Sequence, residues 1–351
     1  MKKTTRRSVI LSLITILITL GLTYGPLPGF QQSIVVVSGT ELQEPLEFLQ
    51  SRFKDQHPNI NLILKFQGSQ DIVDNYLDEK NDFNPTVIIP ASEEFLKDLD
   101  KSWKAQNNSD TFYDNPRAIT KTFLVAVSWA ERAKALFPDG IFKWQRLEEA
   151  ISARNWDKLG NYPNWGSFDL IIADPLRSNS GQQTLYLWAA ARLNNNNLNF
   201  DLLNKPEISE LFSLIKKSIY QTPRSTDLLL KEFISKGPNE GDIAIVYESA
   251  ALFRRQESSK TTGGIPYKIY YINPTVETIQ TAAIVHRKVD QGQANAAREF
   301  INFLTQPQQQ QVFAQYGFRS VNSGPLPNVQ VTTSPNFQTL DEIKRIWQRS
   351  N

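Results

Sequence analysis

From Ser33 onward the chain alternates two kinds of apolar pattern. Runs of β-branched and aromatic residues predict strands, and apolar residues spaced by three and four predict helices. Ile34-Val35-Val36-Val37 is an unbroken β-branched run, as expected of a parallel strand covered on both faces. It stops at Ser38-Gly39-Thr40. Leu42, Leu46, Leu49 and Phe53 then mark one helix face, with Pro45 near enough to the start to be tolerated, and His57-Pro58-Asn59 ends it. The unit repeats in kind. Ile60, Leu62, Leu64 and Phe66 alternate as a strand, Gly68-Ser69-Gln70 breaks it, and Ile72, Val73, Tyr76 and Leu77 form a second helix face. A third unit runs through Val87-Ile88-Ile89, Pro90-Ala91-Ser92 and a helix carrying Phe95, Leu96 and Leu99.

The second half uses the same device. Leu170-Ile171-Ile172 breaks at Asp174-Pro175, Ser178-Asn179-Ser180-Gly181 follows, and Leu185, Tyr186, Leu187, Trp188 and Leu193 predict a buried helix. Thr222-Pro223-Arg224-Ser225-Thr226 opens a helix with Leu228, Leu229, Phe233 and Ile234 facing a core. Gly241-Asp242 leads into the strand Ile243 to Tyr247, stopped by Glu248-Ser249. Such alternation predicts an open α/β sheet, whose strand-to-helix loops gather at one edge, where ligands bind. Ser and Thr at these loops are also ordinary helix caps, and Tyr247 reads equally as a rim aromatic. The recurrence of hydroxyls beside glycine, which lets backbone approach closely, turns the reading toward a site. The helix start after Ser178-Asn179-Ser180-Gly181 presents unpaired N–H groups and the positive end of the helix dipole, which favour an anion or a strongly polar group. The candidate binding residues are Ser38, Gly39, Thr40, Ser69, Gln70, Ser178, Ser180, Gly181, Arg224, Thr226 and Tyr247, with Arg177 in the same loop as Ser178.

Composition narrows the chemistry. The chain has 351 residues, 40% of them hydrophobic, enough for two modest lobes or one large domain. With 38 basic and 36 acidic residues, the net charge of +2 provides no field that would gather nucleic acid. The absence of cysteine excludes disulfides, thiolate nucleophiles, Cys-ligated metals and a lipid-modified cysteine anchor. His57 and His286 stand alone and read as structural, so no metal or cofactor is expected. No Gly-x-Ser-x-Gly elbow, phosphate-cradling Gly-x-x-x-x-Gly-Lys loop or His-Glu-x-x-His helix occurs. Ser51-Arg52-Phe53-Lys54 matches Ser-x-x-Lys, but Phe53 belongs to a core stripe, and no enzyme is expected. The first 30 residues differ from the rest: Lys2, Lys3, Arg6 and Arg7 precede the apolar run Val9 to Tyr24. That is the layout of an export signal, or of a membrane anchor at 8–25, and it places the remaining chain outside the cytoplasm. Asn194 to Asn197 reads as a solvated loop and Gln308 to Gln311 as a helix surface or turn. The tail after Pro325 reads as an extended linker ending in a short helix around Ile343 to Trp347.

The succession "VVVSGTELQEPLEFLQSRF", "FQGSQDIV", "ADPLRSNSGQQTLY", "GDIAIVYESAAL" and "AAREFINFLTQPQQQQVFAQYGFRSVN" resembles the extracytoplasmic solute-binding proteins of ABC transporters. Within them it is most similar to the class that includes molybdate- and sulfate-binding receptors, over Ser33 to Ser323. The resemblance implies a two-lobed type II periplasmic-binding fold, each lobe an open, mainly parallel sheet flanked by helices. Two hinge strands would cross between the lobes near Thr122 to Ser128 and Thr278 to Val285. The implied division is 31–121 with 280–351 as the first lobe and 122–279 as the second. Ser38 and Ser69 match first-lobe donors to an oxyanion, Ser180 a second-lobe donor loop, and Tyr247 the tyrosine after the strand. Arg177, Arg224 and Thr226 lie in the right loops without matching a fixed position. The implied function is capture of a small solute, an oxyanion of the molybdate, sulfate or phosphate kind, by a monomer that delivers it to an ABC permease. Capture of an organic solute such as a sugar, with Trp129, Trp144, Trp156, Trp165 and Trp188 in the second lobe, is the alternative. A membrane-tethered sensor using the same trap is another.

Overall fold

The computed structural model describes residues 31–350 apart from 161, 220, 221, 261 and 333, so the export segment lies outside the described residues. Among the described residues nine strands follow in chain order: β1 (Gln32–Gly39), β2 (Ile60–Gln67), β3 (Val87–Ile89), β4 (Arg117–Ser128), β5 (Leu170–Ile171), β6 (Ile243–Tyr247), β7 (Lys268–Tyr271), β8 (Thr275–Ile284) and β9 (Val331–Thr332). They pair in the order β2-β1-β3-β8-β4-β6-β5, with β7 also on β4 and β9 on β8. At one end β1 runs parallel to β2 and β3, and at the other β5 runs parallel to β6.

Two long strands join these ends. The first half of β4, Arg117 to Phe123, lies antiparallel to Ala282 to Glu277 of β8, while Leu124 to Ser128 lies antiparallel to Tyr247 to Ile243 of β6. Strand β8 ends against β3, where Ala283 and Ile284 face Ile88 and Val87. Each crossover strand thus belongs to both lobes, as the type II fold requires.

Each lobe closes on its own core. In the first, Ile34, Val36, Leu46 and Ile88 are fully or almost fully buried, and Phe53 meets Phe300 and Phe303 edge-on at 5.1 and 5.2 Å. Phe300 and Phe303 lie on the helix Gln291–Leu304, so the chain beyond β8 returns to the first core. Each such buried aliphatic or aromatic side chain stabilises by roughly 1.5–3 kcal/mol. In the second lobe both sheet faces are apolar. Leu124, Ala126, Ile243, Ile245 and Tyr247 point to one side and Val125, Val127, Ala244 and Val246 to the other. Helices cover both sides, which is why these strands read as continuous apolar runs.

The C-terminal tail departs from its expected form and place. Residues Phe337–Arg349 form a 13-residue helix capped by Asn336, whose side chain accepts from Thr339 N, in place of a short helix on a linker. Its Ile343, Ile346 and Trp347 join the second core, not the first, with Trp347 edge-on to Phe212 at 6.2 Å. Lys216 Nζ binds the carbonyls of Trp347 and Ser350 at 3.1 and 2.7 Å, and Lys344 Nζ reaches across to Gln70 Oε1 at 3.0 Å. Leu340, Ile343, Ile346 and Trp347 make one apolar stripe that must be covered, and Ile343, Ile346 and Trp347 are covered by the second-lobe core.

Candidate functional site

Local rules bring the loop Ala173 to Gly181 to the sheet edge. Asp174 Oδ1 accepts from Leu176 N at 2.9 Å, and its carbonyl accepts from Arg177 N and Ser178 N at 3.1 and 2.8 Å, a turn that suits Pro175. The helix Asn179–Leu193 then starts without a side-chain cap from Ser178. Gly181 is required by packing: a Cβ there would lie 2.3 Å from the carbonyl oxygen of Ala173. The first N–H groups of this helix have no intrahelical partner, and they are buried together with Ser178, Asn179 and Ser180.

Around this helix start the hydroxyls form a chain. Ser178 Oγ and Ser180 Oγ are 3.0 Å apart, and Ser180 Oγ lies 2.5 Å from Thr226 Oγ1. Asn179 Nδ2 donates to Tyr247 Oη at 2.9 Å, while Asn179 Oδ1 is buried with no protein partner. Ser178, Ser180, Gly181, Thr226 and Tyr247 are thus brought together from three segments. The first-lobe loops touch the same place. Gln70 N donates to the carbonyl of Arg177 at 3.4 Å, and a Cβ on Gly68 would come within 2.9 Å of that oxygen.

The other expected residues are placed differently. Ser38 donates to Ile89 O at 3.3 Å and Ser69 Oγ accepts from Ala91 N at 3.0 Å, so both hydroxyls tie first-lobe backbone together. Gln70 Nε2 donates to Asp74 Oδ1 at 2.9 Å. Gly39 is buried and Thr40 half-buried at the turn Thr40–Leu42. Arg177 grips Asp71 of the first lobe, with Nη2 to Oδ2 at 2.6 Å and Nε 3.1 Å from both oxygens. Arg224 is exposed and, among the described residues, forms no ion pair with the cluster. A second bridge between the lobes was not foreseen: Arg254 Nη2 contacts Glu44 Oε1 at 2.6 Å and Asp227 Oδ1 at 3.0 Å.

Sequence reasoning also missed Glu41. Its carboxylate folds back over Gly39, where a Cβ would meet both oxygens at 2.5 Å, and Oε1 is shut off from solvent with no hydrogen-bond partner. Burial, with the charge of Asp227 adding to it, raises its pKa to about 7 despite a bond from its own backbone N–H. Tyr247 is pushed well above its ordinary value by burial and by Glu41. Glu41 sits next to the quoted Ser38-Gly39-Thr40, but nothing in its sequence context separates it from an ordinary first-turn acid. A groove of about 850 Å³ lies elsewhere, between the helix Glu93–Asn107 and the segment 110–118, and shares no residue with this cluster.

Residues 34–319 match the model of the bacterial extracellular solute-binding protein family, and the chain belongs to that family. Comparison of the sequence with curated proteins finds no match. Similar solved structures include the sulfate-binding protein SubI from Mycobacterium tuberculosis H37Rv, 18% identical with a TM-score of 0.59 over 88% of this chain and 96% of that one. A periplasmic thiamin-binding protein is 16% identical with a TM-score of 0.62, over 91% and 96% of the two chains. The periplasmic molybdate-binding protein of Azotobacter vinelandii is 14% identical with a TM-score of 0.51, over 84% and 100%. At these identities the likeness shows the type II periplasmic-binding fold and leaves the solute open. The protein is thus a solute-binding receptor of the ABC type, from a family of exported binding proteins that deliver small ligands to ABC permeases. Among the described residues no helix is long and apolar enough to cross a membrane.

Proposed function

We propose that this receptor captures a small oxyanion in the cleft between its lobes and hands it, as a monomer, to an ABC permease. The observation that carries the reading is the uncapped start of the helix Asn179–Leu193. It is buried, ringed by Ser178, Ser180, Thr226 and Tyr247, and accompanied by the unpartnered Asn179 Oδ1. Backbone N–H groups and the positive helix end favour negative charge, and hydroxyls replace the hydration of an anion. Charge-assisted hydrogen bonds contribute roughly 1.5–3 kcal/mol each, so a few support micromolar affinity of about 8 kcal/mol. The first lobe in this reading is 31–121 with the chain from 280 to the tail, and the second is 122–279 with the helix Phe337–Arg349 added.

The aromatic side chains do not favour an organic solute held by stacking. Trp144, Trp156 and Trp188 are core residues, Trp129 stacks on Phe233 at 4.7 Å, and Trp165 stacks on Tyr162 at 4.3 Å. A thermal-shift panel with molybdate, tungstate, sulfate, phosphate and common sugars tests the reading, because a ligand that binds only the folded state raises its stability. Stabilisation by an oxyanion and by no sugar is expected. Ser180→Ala should weaken that oxyanion by about 1–3 kcal/mol in titration calorimetry, and stabilisation by sugars alone would refute the proposal.

A further inference from the structure

The C-terminal helix Phe337–Arg349 makes a third connection between the lobes, and its two sides are fastened unequally. On the second lobe it is held by Ile343, Ile346 and Trp347 in the core, by Asn204 Nδ2 donating to Glu342 Oε1 at 2.8 Å, and by Lys216 on its last carbonyls. The chain reaches it along the second-lobe end of β8, where β9 lies parallel to Thr275 and Val276. Toward the first lobe its Cα atoms come within 8 Å of those of the helix Glu93–Asn107. There, among the described residues, one hydrogen bond joins it to that lobe, from Lys344 Nζ to Gln70 Oε1 at 3.0 Å.

Gln70 is a junction. Its backbone N–H donates to the carbonyl of Arg177, in the loop that leads to the helix start at Asn179, and its Nε2 donates to Asp74 Oδ1 at 2.9 Å. Gln70 is 7% exposed and the Lys344 side chain 14%, so water competes poorly for the bond between them. The carboxylate paired with Lys344, Asp341 at 3.5 Å, lies on the same helix and is 58% exposed, so that pair ties Lys344 to nothing in the first lobe.

We propose that the C-terminal helix is a strap carried by the second lobe, with Lys344 as its latch on Gln70 of the first, and that it favours the closed receptor without touching the solute. This rests on the two-lobe division above and not on which solute is captured. When the lobes part, Lys344 moves with the second core and must release Gln70. The latch therefore belongs to the closed form alone and biases the receptor toward it before any solute arrives. A solute that binds only the closed form gains apparent affinity in proportion to the fraction closed. Lys344 is thus a positioning residue, acting on the site through Gln70 and its bond to Arg177.

The test needs no solute. The chain has no cysteine, so Lys54→Cys on the first lobe and Glu210→Cys on the second, both at exposed positions, take one spin label each, and pulsed electron resonance reads the distance between them. The labelled full chain should show one distance that matches this arrangement of the lobes and a second, displaced one. Lys344→Met keeps the apolar stem and removes the donors. It should lower the ratio of matching to displaced distances by about tenfold, the lower end for losing a hydrogen bond to a charged group, with the melting temperature unchanged. Lys344→Arg should restore most of the ratio. In a Gln70→Leu background Lys344→Met should change nothing further, because its partner is already gone. An unchanged ratio in Lys344→Met overturns the latch, and so does an equal loss in the Gln70→Leu background. A loss of stability in Lys344→Met that Lys344→Arg does not repair makes the helix a brace for the second core and overturns it as well. A single distance in every variant means lobes that do not part, which removes the closure on which the strap depends.

Discussion

Replacing Glu41 by Gln should change how stability depends on pH, in the absence of any ligand. In the folded protein burial raises the carboxyl from 4.5 to about 7, with Asp227 adding to the shift. The native state thus holds the proton more tightly than the unfolded chain. Below about pH 4.5 both states are protonated and Glu41 adds no pH dependence. Between there and about pH 7 the unfolded chain loses its proton while the native state keeps it, so stability falls as pH rises. Above about pH 7 both are ionised and the loss is complete. A shift of this size corresponds to about 3 kcal/mol, taken as an upper bound because the residue is only partly shielded as a whole. Gln has nothing to ionise, so its stability relative to wild type should improve by up to that amount between about pH 4.5 and pH 8. Asp98 and Asp242, raised to about 6 and about 7 chiefly by burial, titrate in both proteins and cancel in the difference. Urea unfolding followed by tryptophan fluorescence at several pH values measures it. A wild-type minus Glu41→Gln difference that stays flat from about pH 4 to pH 8 refutes the buried, unpaired carboxylate.

Further outcomes follow from packing and ion pairs. Arg319 holds the fully buried Glu248 through Nε and Nη2 at 2.8 and 2.7 Å, and Tyr271 Oη donates to the same carboxylate. Arg319→Leu strands that charge and should cost about 3 kcal/mol in urea unfolding, with Glu248→Gln in the same chain restoring part of it. Gly181→Ala forces a Cβ against Ala173 O and should destabilise by about 1–3 kcal/mol while weakening oxyanion binding in calorimetry. Asp71→Asn removes one bridge between the lobes, whose partners are 33% and 25% exposed, so it should lower ligand affinity by no more than about fivefold. That small loss should vanish at high salt, where the wild-type pair is screened.

Much of this protein was legible in local pattern. Strand β1, β3 and β6 appeared as unbroken apolar runs because both sheet faces are covered, and the helix faces appeared as stripes of Leu and Phe. The helix start at Ser178-Asn179-Ser180-Gly181 was legible because turn and cap chemistry is local, and Gly181 because only glycine fits against Ala173. What the tertiary structure alone decided is who meets whom. Ser38 and Ser69 have the right type and loop, yet the fold gives their hydroxyls to Ile89 and Ala91. Arg177 lies in the candidate binding loop, but Asp71, 106 residues away, takes its charge. Glu41 is an unremarkable acid until the fold buries its oxygen near Asp227 and Tyr247, because desolvation depends on neighbours that no sequence window contains. The tail shows the same limit: its stripe of Leu340, Ile343, Ile346 and Trp347 required an apolar partner, and only the packed second lobe determined which surface that would be.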